Sequence, residues 1–361
     1  MSELEKLRKE IAATDKEMAK LFEQRMEIVK RILDYKMANG LPVHDPEQEA
    51  RVIAAGSRNI GDSTLKEYYI LFLKELMNIS KSYQYRLMSG MKVAYCGAPG
   101  AFAQIAAERL FPEASLVPYP DFESAYRACE KGNADVTVLP IENSYSGEVG
   151  NVTDLIFDGS LHINMMLELA VTQNLLGVKG ARIEDIRKVL SHHQALAQCA
   201  PYIRSRGFDT IESENTALAA KEVAIKGDKS IAAIGAAETA AIYGLEILES
   251  NINSSSANTT RFAAFSRVMN APSTDCSDEY FIMMFTVRDE AGALAKVLNI
   301  IGVHGFNMTN LRSRPVKGKM WKHYFFAELE GNANSEAGRD LIRQMDTVCD
   351  KFKFIGTYKR I

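Results

Sequence analysis

Residues 3–38 carry apolar side chains at Leu4, Leu7, Ile11, Met18, Leu21, Ile28 and Ile32, an alternating three/four spacing held over several heptads. This spacing predicts a first helix of roughly 35 residues, stopped near Asn39-Gly40. A helix of that length cannot bury its stripe alone and must find a partner surface. "DPEQEARVIAAG" predicts a second helix, with Asp45 as N-cap and Pro46 at the first helical position, and a third is expected over residues 63–87. Three helices from one chain make only half a bundle.

The remaining sequence changes grammar twice. Residues 91–268 alternate strand and helix: "KVAYCG", "VTVLPIEN", "RKVLSHH" and "SIAAIG" read as strands, each followed by a turn and a helix, which is α/β organisation. After the polar linker "NAPSTDCSDE", residues 279–361 follow the order β-α-β-β-α-β, the ferredoxin-like split βαβ pattern. With 361 residues, two or three domains are expected. We divide the chain at 1–89, 91–268 and 279–361.

A net charge of −3 argues against a general basic surface for nucleic acid or anionic membrane. No apolar run approaches the ~18 residues of a membrane span. The start, "MSELEKLRKEI", has neither the apolar core nor the cleavage site of a signal peptide. Cys96, Cys129, Cys199, Cys276 and Cys349 are odd in number and lack a CxxC pair, as expected of reduced thiols in a cytoplasm.

Continuing the helical seam places Arg25 between Leu21 and Ile28, with Arg8 and Lys36 leaning to the same side. A cation on a core-facing stripe must be paired or must bind an anion. A structural pair with Asp15 or Glu49 is one solution; an anionic ligand is the other. Arg8 and Arg25 lie 17 residues apart, roughly 25 Å along a helix axis. If both hold one small ligand, Arg8 must come from a second chain. The segment "LRKEIAATDKEMAKLFEQRMEIVKRILDYKMANGLPVHDPEQE" resembles the all-helical chorismate mutase family, an intertwined homodimer. The resemblance implies that Arg8, Arg25, Lys36, Asp45, Gln48, Glu49, Ser80 and Gln84 form the substrate site, with Gln48 standing where the family carries arginine. Rearrangement of chorismate to prephenate is pericyclic. It needs a grip on two carboxylates and a donor at the breaking ether oxygen, but no nucleophile, metal or cofactor. The implied roles are Arg25 and the other chain's Arg8 on the carboxylates, assisted by Ser80. Lys36 and Gln84 would donate to the ether oxygen, and Glu49 would accept from the ring hydroxyl.

In the middle segment, "PIENS" offers Glu142, Asn143 and Ser144 past a strand end, and "NTTRFAAF" puts Thr260 and Arg261 on opposite faces of a strand. "SHHQALAQC" suggests metal or Cys/His chemistry, but adjacent histidines with one distant cysteine lack zinc-ligand spacing. Together with "GAPGAF" and "ESENTALAA", these motifs resemble the prephenate dehydratase family, a two-lobed, periplasmic-binding-like α/β fold with its site in the cleft. The resemblance implies substrate contacts from Glu142, Asn143, Ser191, His192, Gln198 and Thr260, with the Thr260 hydroxyl donating to the departing hydroxyl and His192 or Glu142 as proton source. His193 replaces the family's usual proline, and neither it nor Cys199, expected to be a half-buried thiol, is given a catalytic role.

The C-terminal segment, with "GAL" opening a helix and "NMTNLRSRP" after it, resembles the ACT domain, which binds phenylalanine in the two-headed enzymes. The implied effector residues are Gly292, Ala293, Leu294, Arg312, Ser313, Arg314 and Pro315, with Arg312 in place of the family's glutamate. A pure dimerisation module is the alternative. The sequence thus implies a multidomain, cytoplasmic, at least dimeric enzyme acting on chorismate and prephenate under phenylalanine control. Two other readings compete with it: a dehydratase with an impaired mutase, and a non-catalytic amino-acid-binding regulator.

Overall fold

The computed structural model describes residues 2–254, 257–270 and 279–361. Cys276 and nearly all of the expected linker lie outside the described residues. The chain divides into two compact units, Met1–Met91 and Lys92–Ile361.

The first unit is three helices: α1 (Glu3–Ala38), α2 (Pro46–Asn59) and α3 (Lys66–Ser89), the last preceded by a 3-10 turn at Ser63–Leu65. Ser2 and Glu5 close a capping box at the start of α1. Asp45 accepts from the Gln48 amide to start α2, with Pro46 in the first turn as expected. The predicted seam of α1 is not buried within the chain. Leu4, Leu7, Ile11, Met18, Leu21, Ile28 and Ile32 are all between 46% and 63% exposed, and only Val29 and Leu33 of this helix are buried. The reason is geometric: within the chain, α1 is covered only between Arg25 and Lys36, so most of a 36-residue helix has nothing to pack on.

The second unit opens with β1 (Lys92–Cys96), α4 (Phe102–Leu110), β2 (Ser115–Tyr119), α5 (Phe122–Glu130), β3 (Val136–Asn143), β4 (Gly147–Glu148), α6 (Gly150–Asp158) and β5 (His162–Ala170). The chain then crosses to a second lobe: β6 (Asn174–Gly177), β7 (Lys188–Ser191), α7 (His193–Gln198), α8 (Ala200–Arg206), β8 (Asp209–Glu212), α9 (Thr216–Lys226), β9 (Ile231–Gly235), α10 (Ala237–Tyr243) and β10 (Glu246–Glu249). It returns as β11 (Thr259–Ser266), which inserts between β3 and β5. The sheet orders are β2-β1-β3-β11-β5, with β4 on β3, and β10-β6-β9-β7-β8. Two connections therefore join the lobes, one following β5 and one preceding β11, and the ends of β3, β5 and β11 meet there.

The C-terminal module comprises β12 (Tyr280–Thr286), α11 (Ala293–Val303), β13 (Asn307–Pro315), β14 (His323–Glu330), α12 (Glu336–Val348) and β15 (Lys351–Tyr358), in the sheet order β13-β14-β12-β15. One face of this sheet packs on its own two helices through Phe281, Met283, Phe285, Leu329 and Leu341. The other face, with Ile282, Met284, Tyr324, Phe326 and Tyr358, joins the core of the first lobe beside Leu139, Ile163 and Phe265. Strand alternation thus gives the sheet two buried faces and fuses the module to the lobe. The Gly356 backbone, at φ +139°, lies so close to the Ile163 carbonyl that a Cβ there would collide with it.

Candidate active sites

In the helical unit, Arg25 is half-buried and its guanidinium donates to the Ser80 hydroxyl, which in turn donates to the Leu76 carbonyl at 2.6 Å. Burial lowers its pKa, and among the described residues no carboxylate lies in ion-pair reach. The structural pair with Asp15 or Glu49 is absent. Glu49 is instead bound to Lys81 at 2.9 Å and approached by His44 at 3.7 Å. Lys36 Nζ donates to the Val43 carbonyl at 2.7 Å, which leaves further donor capacity on the ammonium. Ser80 and Gln84 are both buried on one side of α3. Gln84 Nε2 donates to the Ser80 carbonyl at 3.3 Å, while its Oε1 is buried without a partner. The second Nε2 proton has no partner among the described residues, so the amide keeps a donor for an ether oxygen. Asp45 serves as the α2 cap and Gln48 is exposed. Arg8 is exposed, consistent with its distance from Arg25 along one helix.

In the α/β unit, β11 and β3 run antiparallel with Thr260 opposite Asn143 and Arg261 opposite Glu142. Asn143 Nδ2 donates to Thr260 Oγ1 and to Asn258 Oδ1, both at 2.8 Å. Its Oδ1 accepts from the amides of Tyr145 and Ser146 at 3.0 and 2.9 Å, so the turn after β3 fixes which way the amide faces. Asn258 passes the chain on to Gln198 Oε1 at 3.0 Å, and Gln173 Nε2 reaches the same oxygen at 3.4 Å. Asn143, Thr260, Asn258, Gln198 and Gln173 are all buried; Gln173 and Asn258 lie in the two connections, Asn143 and Thr260 at the strand ends beside them, and Gln198 reaches in from the end of α7. Thr260 accepts a hydrogen bond here but donates none among the described residues, so its hydroxyl proton is available to a ligand. Gln173 Oε1 is likewise buried without a partner.

Ser191 ends β7 and spends its hydroxyl on the Ile234 carbonyl at 2.6 Å. His192 caps α7, its Nδ1 accepting from the Gln194 amide at 3.4 Å. Burial and the neighbouring His193 lower the His192 pKa, so the ring is neutral near pH 7. Cys199 is fully buried rather than half-buried, and burial pushes its thiol up to about 12, which makes it inert. Among the described residues no cluster of His, Cys, Asp and Glu could hold a metal ion.

Glu142 departs from expectation. It sits in strand β3, not in a loop, and alternation turns it to the face opposite Asn143. There its carboxylate meets Arg261 at 3.2 Å and is bound by Arg312. Arg312 and Arg314 likewise point inward from β13, Arg314 making two 3.1 Å bonds to Asp154, while Ser313 and Pro315 face out. Gly292 begins α11 at φ +82°, and Ala293 and Leu294 are half-buried in its first turn. Sequence reasoning missed Asn258, Gln173 and Lys81. Asn258, directly ahead of "TTRF", had a detectable signal; Gln173 and Lys81 had none.

The unit from Lys92 is thus a two-lobed α/β enzyme scaffold whose polar residues converge at the inter-lobe connections, with a ferredoxin-like module fused to it. Family models match in the same order: chorismate mutase type II over residues 7–85, prephenate dehydratase over 93–270 and the ACT domain over 281–346. A bifunctional chorismate mutase/prephenate dehydratase from Aquifex aeolicus is 32% identical over 100% of this chain and 99% of its own length. The chain belongs to the bifunctional chorismate mutase/prephenate dehydratase family, and it is an enzyme with both catalytic domains. Two solved structures each cover 75% of it with a TM-score of 0.69. One is a prephenate dehydratase from Arthrobacter aurescens in complex with L-Phe, 25% identical and covered over 90% of its length. The other is described as a novel type of quorum-quenching acylase, 29% identical and covered over 98%. Among the described residues no helix is long and apolar enough to cross a membrane.

Proposed function

We propose that the helical unit rearranges chorismate in a site shared between two copies of the chain. Arg25 and Ser80 of one copy and Arg8 of the other hold the carboxylates, with Lys36 and Gln84 at the ether oxygen and Glu49 at the ring hydroxyl. The observation that carries this reading is Arg25, a half-buried cation without a carboxylate partner among the described residues, on a helix whose apolar seam is exposed. A dianionic substrate satisfies the first feature and a second α1 the second.

The dehydratase step removes carbon dioxide and water from prephenate, and aromatisation drives it. The Thr260 hydroxyl donates to the departing hydroxyl, Asn143 fixes that hydroxyl's orientation, and Asn258, Gln198 and Gln173 line the site with neutral amides. Ser191 and His192 enclose it from the second lobe. Glu142 and His192 are poor proton stores, the first because it is ion-paired on the far face and the second because it is held neutral. We place the enzyme in the cytoplasm, as a dimer or larger assembly that phenylalanine inhibits through the outward side of β13 and the turn at Gly292.

Supplying chorismate and following its loss, prephenate and phenylpyruvate in one assay tests the reading. Phenylpyruvate is expected, at a rate that falls on adding millimolar phenylalanine. Accumulation of prephenate would refute the assignment of the middle segment, and an unchanged rate with phenylalanine would reduce the C-terminal module to a structural role.

A further inference from the structure

We propose that Glu142 and Arg261 are positioning residues of the dehydratase site, held by Arg312 and Glu328 of the C-terminal module, so that the docking of this module sets the turnover of Thr260. The proposal rests on the placement of the site given above. Four residues form two adjacent rungs: Asn143 with Thr260, facing the site, and Glu142 with Arg261, facing the module. The ladder between β3 and β11 is irregular immediately after Arg261, where Phe262 pairs with Pro140 and Ile141 is bulged out. Backbone pairing to β4 and β5 also holds these two rungs on their outer sides; beside the bulge, the side chains behind them are what tie the rungs to the module.

Those side chains form a buried ionic cluster. Arg261 makes two bonds to Glu328 at 2.5 and 2.8 Å, a bidentate pair on a carboxylate that is 1% exposed. Tyr358 and Arg360 also donate to Glu328, Arg360 at 3.0 Å. Arg312 closes the cluster on Glu142, and a void about the size of a water molecule separates these groups from Thr153 and Phe326. The second contact of the strand, Arg314 with Asp154, lies over Gly150, where a Cβ would strike the guanidinium. Removing one member of such a cluster leaves its partners buried and uncompensated. The strand ends then relax, and the Thr260 hydroxyl relaxes with them.

The test is a double-mutant cycle in the full chain, using Glu142→Gln, Arg312→Ala and the pair, with Arg312→Lys and Thr260→Val alongside. Dehydratase kcat and KM for prephenate are measured, and mutase turnover in the same samples reports intact protein. Each single substitution is expected to lower dehydratase kcat by about tenfold with little change in KM. The pair should be no worse than the weaker single, and Arg312→Lys should recover most of the loss. Multiplying effects, a change confined to KM, or kcat within about twofold of the parent would overturn the coupling. If Glu142→Gln does not fold, the comparison of Arg312→Ala with Arg312→Lys decides alone: equal kcat in the two sinks the proposal. Thr260→Val at the parental rate would sink the site assignment itself, whereas an inactive Thr260→Val beside unaffected Arg312 variants would sink only the coupling.

Discussion

In the sites proposed above, the two catalytic regions solve the same problem, holding a dianionic ring in one conformer, with opposite materials. The helical unit uses cations on long side chains. Arg8 is exposed, Arg25 meets only a hydroxyl among the described residues, and the apolar seam around them faces outward. The α/β unit uses short neutral side chains: Asn143, Thr260, Asn258 and Gln198 bond one another, are buried, and come from three separate stretches of one chain. As proposed, the first site is shared with a partner copy, whereas the second is assembled within a single fold. A helix bundle can bring distant positions together only by adding another helix, whereas an α/β sheet gathers strand ends at one edge.

The sharpest way to break this contrast is by single substitution. Arg25→Ala should lower chorismate turnover by about a thousandfold or more, and Thr260→Ala should do the same to prephenate turnover, each leaving the other activity intact. Loss of both activities in either variant, measured on the two substrates separately, would show that the sites are not independent. A subtler experiment asks whether the mutase site is shared. Arg8→Ala and Arg25→Ala, each inactive, should regain about a quarter of the mutase activity when unfolded together and refolded, because half the dimers are mixed and each carries one intact site. No recovery would place both arginines in one chain's site.

Stability should separate the two units with pH. Burial alone would raise the Glu328 pKa, but Arg261, Tyr358 and Arg360 outweigh it and bring it down to about 2. A depressed folded pKa means stability that is present above the unfolded value and lost as pH falls towards 2, on the order of 3 kcal/mol for this group. Asp154, held low by Arg314, Tyr324 and Lys317 against its own burial, adds to the same acid limb. Calorimetry should show Glu328→Gln lowering the melting transition of the α/β unit at pH 7, the gap narrowing by pH 3; a constant gap would contradict the linkage. The smallest expected change is at Gln48. Gln48→Arg should lower the mutase KM by about two- to threefold through one exposed carboxylate contact, read by steady-state kinetics on chorismate.

Much of the architecture was legible because local chemistry dictated it. The seam gave α1, Asp45-Pro46 gave the start of α2, and the β-α-β-β-α-β order gave the last module, each from spacing or from a cap whose physics is local. Thr260 and Arg261 were assigned to opposite faces by alternation alone, and the structure keeps them there. Glu142 was misplaced for a reason of the same kind. Read as a loop residue after Pro140 it had no defined face, yet the bulge at Ile141 keeps it in the strand and turns it towards Arg312. The inward orientation of Arg312 and Arg314 was invisible because it depends on which face of β13 the first lobe covers.

The sequence alone therefore determined the main elements, their order and the apolar seam along α1, since periodicity and caps are properties of neighbours in the chain. Only the tertiary structure decided that Asn143, Thr260, Asn258 and Gln198 share one network, and that Glu142 and Arg312 share another on the reverse side. Those pairings join residues 60 to 170 positions apart. What brings them together is the double crossing between the lobes and the docking of one sheet face, which no local pattern encodes.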